Sequence, residues 1–83
     1  MKHESHPEIA KRLKRAEGHI RSIIAMIEEG RACLDLAQQL HAVEKAVGNA
    51  KRELIHDHIE HCLEDGDHHR GNLTELKQLT KYL

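Results

Sequence analysis

From Ile9 the apolar residues fall at Ile9, Leu13, Ala16, Ile20, Ile23 and Ile27, in steps of 4, 3, 4, 3 and 4. That spacing is one stripe along an α-helix. Ser5, His6 and Pro7 mark its start, with proline suited to a first-turn position and Glu8 placed favourably against the positive end of the helix dipole. Gly30, after Glu28 and Glu29, marks its end. Gly18 lies inside the pattern at a cost of about 1 kcal/mol relative to alanine, which predicts a close approach of another helix or a bend. A second stripe runs through Leu36, Leu40, Val43, Val47, Ala50 and Leu54, and a neighbouring one continues with Ile55, Ile59 and Cys62. No proline interrupts Ala32 to Leu63, so these residues are read as one long second helix with Gly48 its weak point. Asp65, Gly66 and Asp67 supply a stop, His68 to Gly71 a polar loop, and Asn72 an N-cap for a short third helix carrying Leu73, Leu76, Leu79, Tyr82 and Leu83. Alternating strand patterns and internal repeats are not evident.

The expected fold is therefore all-α, three helices in a single domain spanning residues 1–83. The chain has 83 residues and one aromatic ring, Tyr82. A chain of this length buries only about 60% of its unfolded surface, and without further aromatics its core must come from Leu, Ile, Val and Ala. A solitary protomer would be marginal, so association of several copies is expected. No apolar run approaches the ~20 residues of a membrane span, and no signal peptide is visible. Cys33 and Cys62 are too few for a disulfide-stapled scaffold. These features lead to the expectation of a cytoplasmic protein with no membrane contact. So lean a helical chain offers no expected pocket for a small-molecule substrate, and an enzyme is not expected.

A formal net charge of -1 conceals two regions of opposite character. Between Lys11 and Arg21 the chain carries Lys11, Arg12, Lys14, Arg15 and Arg21 against the single acid Glu17. From Glu53 to Asp67 it carries Glu53, Asp57, Glu60, Glu64, Asp65 and Asp67 with no Lys or Arg, interleaved with His56, His58, His61 and Cys62. The first region suits an anion and the second a cation.

The second region belongs to a chain with nine histidines. His58 and Cys62 are four residues apart, so they share one helix face with Cβ atoms ~6 Å apart. An imidazole and a thiolate at that spacing can ligate one soft or borderline metal ion. Cys33 precedes His58 by 25 residues, which along one continuous helix is ~37 Å. It cannot join the pair within its own chain. Two copies of the second helix packed antiparallel would bring the start of each to the end of the other and create two equivalent sites by two-fold symmetry. The competing interpretation is a buried cysteine acting as a small core residue and histidines that only solvate a face. His41, His56, His61 and the pair His68 and His69 are read as surface residues, whereas His3 and His6 are candidates to close over the site as additional ligands.

The run RLKRAEGHIRSIIAMIEEGRACLDLAQQLHAVEKAV followed by LIHDHIEHCLED resembles the CsoR/RcnR/FrmR family of small helical bacterial repressors. The likeness covers most of the chain, from Ile9 to Asp65, and is most specific in RAEGHI, in QQLHAVEKAV and in the separations of Cys33, His58 and Cys62. It implies an antiparallel helical dimer that assembles as a dimer of dimers, a homotetramer. It also implies that operator DNA is bound by the metal-free form and released when metal binds. In the copper-sensing branch the ligands are a cysteine at the start of the second helix of one protomer and a histidine and cysteine near the end of the other's, positions held here by Cys33, His58 and Cys62. Glu75 is the counterpart of a glutamate that supports the copper site from outside it.

Two thiolates and one imidazole form a compact soft set suited to Cu(I), so Cu(I) is the expected metal. Ni(II) or Co(II) is the alternative, because that branch adds an N-terminal ligand, usually histidine. The usual position falls here at Met1, leaving His3 and His6 nearby. The tyrosine often found before the first cysteine is replaced by Ala32. A third alternative is persulfide sensing through Cys33 and Cys62, against which the presence of His58 argues. For DNA, Arg12 is the best match to a family contact residue, with Lys11, Lys14 and Arg15 beside it and Lys51 and Arg52 extending the surface. Asn49 stands where some relatives carry arginine. No helix-turn-helix or aromatic stacking platform is visible, so recognition is expected to rest on backbone contacts and DNA shape.

Overall fold

The computed structural model describes residues 5–64 and 70–83, with side chains for 5–61 and 73–83. The first helix, α1, spans His6–Glu28; the long second helix, α2, spans Cys33–Glu64; and α3 spans Arg70–Leu79, followed by a single 3₁₀ turn at Thr80–Tyr82. No strand occurs among the described residues. The first two helices match the apolar spacing closely, because a stripe in 4-3 steps can be buried along its length only by a helix. The third starts earlier than expected: Arg70, Gly71 and Asn72 are already helical, so Asn72 is not the cap and the expected loop does not extend through Gly71. The expected stop at Asp65, Gly66 and Asp67 and the pair His68 and His69 lie outside the described residues.

The chain reverses between α1 and α2 over four residues. Gly30 adopts φ 80°; its N–H donates to the Ile27 carbonyl at 3.1 Å and that of Arg31 to Met26 at 3.0 Å. This pair of bonds is the Schellman closure, which satisfies two of the carbonyls a helix end leaves open and requires a left-handed residue between them. Gly30→Ala is therefore expected to cost about 1–2 kcal/mol, the penalty of a Cβ in that conformation, read as a lower thermal midpoint at unchanged helix content. Gly18 has no such role. A Cβ built there would meet nothing within 4 Å in the protomer, so the close approach expected at that position is not made within one chain.

The turn folds α2 back antiparallel to α1, since Arg12 pairs with Glu53 and His19 with Gln39. Ile9, Ala16 and Ile23, seven residues apart on α1, are buried, as are Val43 and Ala50, seven apart on α2, and Ile55. Small residues in both rows let the helices approach. A second pair of seven-residue rows stays open: Leu13, Ile20 and Ile27 on α1, and Leu40, Val47 and Leu54 on α2, each between 37% and 53% exposed. A protomer thus buries one of its two apolar stripes and presents the other to water, and a contiguous exposed apolar face of this kind marks an interaction surface. The third helix packs on the far end of α2. No described helix is long and apolar enough to cross a membrane.

Candidate metal centre and basic groove

Cys33 is the first residue of α2, exposed, with a free thiol. His58 lies seven turns further along, half-buried, where α3 crosses; its Nε2 is 3.5 Å from Glu75 Oε1. The carboxylate expected to support the site therefore does sit beside the histidine, carried there by α3. Cys62 is one turn beyond His58 on the α2 backbone, and its side chain is outside the description, as is all of His3. His6 opens α1 and is exposed. Within one protomer no three His, Cys, Asp or Glu side chains among the described residues are grouped to hold a metal ion. This agrees with the ~37 Å that separates Cys33 from His58 on a continuous helix.

His61 is half-buried, with Nδ1 2.9 Å from the Asp57 carbonyl oxygen and 3.2 Å from Asp57 Oδ1. A carbonyl can only accept, so Nδ1 carries the proton and donates. His41, by contrast, is an exposed partner of Glu44 at 4.0 Å, and His56 is also exposed.

The position of Cys33 around α2 matters as much as its position along it. Cys33, Leu40, Val47 and Leu54 succeed one another at seven-residue intervals, and His58 follows four residues later. On an α-helix these residues form a single stripe. The three apolar members are those the protomer leaves open. The ligand candidates therefore terminate an uncovered apolar stripe at its two ends.

Across the molecule, Arg12, Arg15, Ala16 and His19 of α1 and Ala46 and Asn49 of α2 line a groove of about 360 Å³. Arg12 Nη1 pairs with Glu53 Oε2 across the helices. His19 Nε2 lies 2.6 Å from Gln39 Oε1, and Arg52 Nη2 donates to Asn49 Oδ1. Lys11, Lys14 and Lys51 are exposed. The expected basic face thus divides: Arg12 and Arg15 turn toward α2, while Lys11 and Lys14 project elsewhere on α1. His19 and Glu53 were not singled out by sequence as groove residues. A register counted back from the Gly30 turn, which places Arg12 opposite residues 49–53, is the signal that finds Glu53.

Residues 5–83 match the family described as metal-sensitive transcriptional repressor. The chain belongs to this family. It is 43% identical over 58 residues to the copper-sensing transcriptional repressor CsoR of Bacillus subtilis, a match covering 70% of this chain and 57% of that protein. To the copper-sensing transcriptional repressor RicR of Mycobacterium tuberculosis it is 43% identical over 54 residues, covering 65% of this chain and 56% of that protein. The match thus spans little more than half the length of these two relatives. Among solved structures, the nickel-responsive transcriptional regulator InrS superposes with a TM-score of 0.80 at 32% identity, covering all of this chain and 98% of that one. The family and these relatives are described as transcriptional repressors or regulators, not as enzymes.

Proposed function

We propose that this protein is a metal-responsive repressor that grips operator DNA through α1 and the α1/α2 groove in its metal-free form and releases it when metal joins Cys33 to the partner's His58 and the partner's Cys62. The observation that carries this reading is the open stripe on α2. Two copies of α2 laid antiparallel with Val47 against the partner's Val47 set Leu40 against the partner's Leu54. The same register sets Cys33 beside the turn that holds the partner's His58 and the partner's Cys62. One alignment therefore covers the apolar residues that each protomer leaves exposed and assembles the ligand set that neither protomer completes alone. Burial of the stripe supplies the association energy, and two-fold symmetry gives two such sites per dimer. Pairing of dimers into a tetramer would multiply the basic faces presented to DNA.

The donor set fits a soft ion: two thiolates and an imidazole match Cu(I), and two relatives named as copper sensors support that choice. A bound ion would tie the start of one α2 to the end of the other. Glu75 beside Nε2 of His58 would orient the ring and leave Nδ1 to hold a metal, the usual part of a carboxylate behind a ligating histidine. Arg12, Arg15, Lys11 and Lys14, with Lys51 and Arg52, provide the phosphate contacts, each engaged phosphate steepening the salt dependence by about 0.9 in log–log slope. Ni(II) or Co(II) is the second reading, favoured by the likeness to a nickel-responsive regulator over the whole chain and by His6 at the start of α1, with His3 preceding it. The proposed place of action is the cytoplasm.

Anaerobic titration with Cu(I) and with Ni(II), following absorption and the binding of duplex DNA from upstream of the protein's own coding sequence, tests the reading. Cu(I) is expected to bind once per chain and release the DNA. Glu75→Gln is expected to lower metal affinity by about 10–100-fold and to leave metal-free DNA binding unchanged. DNA binding indifferent to both metals, but lost on treatment with polysulfide, would transfer the sensing role to Cys33 and Cys62 as a sulfur-bridging pair.

A further inference from the structure

Glu53 is out of character with the groove it borders. It is an acid on a surface assigned to phosphate, and its carboxylate lies on the Arg12 guanidinium. Both side chains remain about two-fifths exposed, at 43% and 40%, and ion pairs at that exposure contribute little to folding. The seam that holds α1 to α2 is the buried row of Ile9, Ala16 and Ile23 against Val43 and Ala50. The ion pair is therefore not what joins the helices.

What the pair does change is the availability of Arg12. A guanidinium presents a planar fork of donors that matches a carboxylate and a phosphate by the same geometry. It cannot give that fork in full to both. One turn before Glu53, Asn49 accepts a bond from Arg52, so a second guanidinium near this groove is also occupied by the protein's own oxygen. In the free protein, two of the cations assigned to DNA are engaged internally.

We infer that Glu53 is a built-in competitor for the DNA phosphate: it occupies Arg12 in the free protein, and DNA gains Arg12 only by displacing the carboxylate. The inference rests on the reading of the groove as a DNA grip. Exchange of one anion for another yields only the difference between them. The displaced carboxylate also remains within a Debye length of the incoming phosphate and repels it. Glu53 thus lowers the affinity of the metal-free protein for any duplex and raises the share of binding that must come from the remaining contacts and from DNA shape.

The test measures binding of the full-length metal-free chain to duplex DNA from upstream of its own coding sequence, over a range of salt concentrations. It compares the wild type with Glu53→Gln, Glu53→Ala, Arg12→Gln, the double variant Arg12→Gln/Glu53→Gln, and Glu60→Gln as an equal charge change elsewhere on α2. Circular dichroism reports that helix content is retained. Glu53→Gln and Glu53→Ala are expected to tighten binding by about two- to fivefold per engaged protomer, the scale of an exposed ion pair, with Glu60→Gln close to wild type. The gain should vanish in the Arg12→Gln background, because there is then no guanidinium to release. Equal tightening with and without Arg12, or weaker binding by both Glu53 variants, overturns the competitor role while leaving the DNA reading in place. Absence of salt-dependent binding by the wild type overturns the DNA reading and this inference together.

Discussion

Val47→Arg is expected to convert the assembled protein into monomers that keep their helices but bind neither metal nor DNA tightly. Val47 is exposed in the protomer, so an arginine there has room and solvent, and the α1/α2 hairpin should form as before. In the proposed antiparallel pair the same position would meet its own copy at the two-fold axis, which makes the substitution count twice. Two guanidiniums would face each other in an apolar seam, each losing water without gaining a partner. Removal of a charge from water without compensation costs about 3–5 kcal/mol. That exceeds a hundredfold weakening of self-association even if only one of the two positions contributes fully. Sedimentation or light scattering checks the mass, and circular dichroism checks that the helices persist. An unchanged oligomer would mean that the open stripe of Leu40, Val47 and Leu54 is covered in some other way.

The other large effect is expected at Cys33. Replaced by alanine, the first residue of α2 still begins the helix, since alanine is a good helix former. The open stripe and the basic groove are untouched, so metal-free DNA binding should match the wild type. Metal affinity should fall by well over a hundredfold, more than the loss of a supporting carboxylate alone produces. With it should go the release of DNA, because coupling between two sites is reciprocal and cannot outlast the loss of one. His58→Ala is expected to give the same result from the other end of the helix. The measurement is metal titration with DNA bound and free; a variant that still releases DNA at wild-type metal concentrations would place the ligands elsewhere.

Much of this was legible in the order of residues, and the limits have physical causes. The 4-3 spacing from Ile9 to Ile27 and from Leu36 to Leu54 identifies two helices because no other element buries such a row. It does not say which of two interleaved seven-residue rows meets the neighbouring helix. Only the packed hairpin shows that Ile9, Ala16 and Ile23 turn inward while Leu13, Ile20 and Ile27 remain open. The third helix starts three residues before the Asn72 cap would have it, because a capping preference of about 1 kcal/mol is weaker than the sum of factors that extend a helix. Cys33, His58 and Cys62 could be picked out by spacing and resemblance, but the contact of Glu75 with His58 depends on how α3 returns across α2. The pairing of Arg12 with Glu53 was missed for a similar reason. Charge runs are read along the chain, whereas this pair forms across it, between residues 41 positions apart.

Each proposed metal site is shared, with Cys33 from one chain and His58 and Cys62 from the other. Mixing Cys33→Ala chains with His58→Ala chains, dissociated and reassembled together, addresses it directly. Each variant alone lacks a ligand at every site. In a mixed antiparallel dimer one site is doubly deficient, but the other joins the intact Cys33 of one chain to the intact His58 and Cys62 of its partner. Random mixing is therefore expected to restore about a quarter of the wild-type Cu(I) capacity, at wild-type affinity, as two-fold symmetry requires. A mixture that binds no more metal than the two variants kept apart would contradict the shared site.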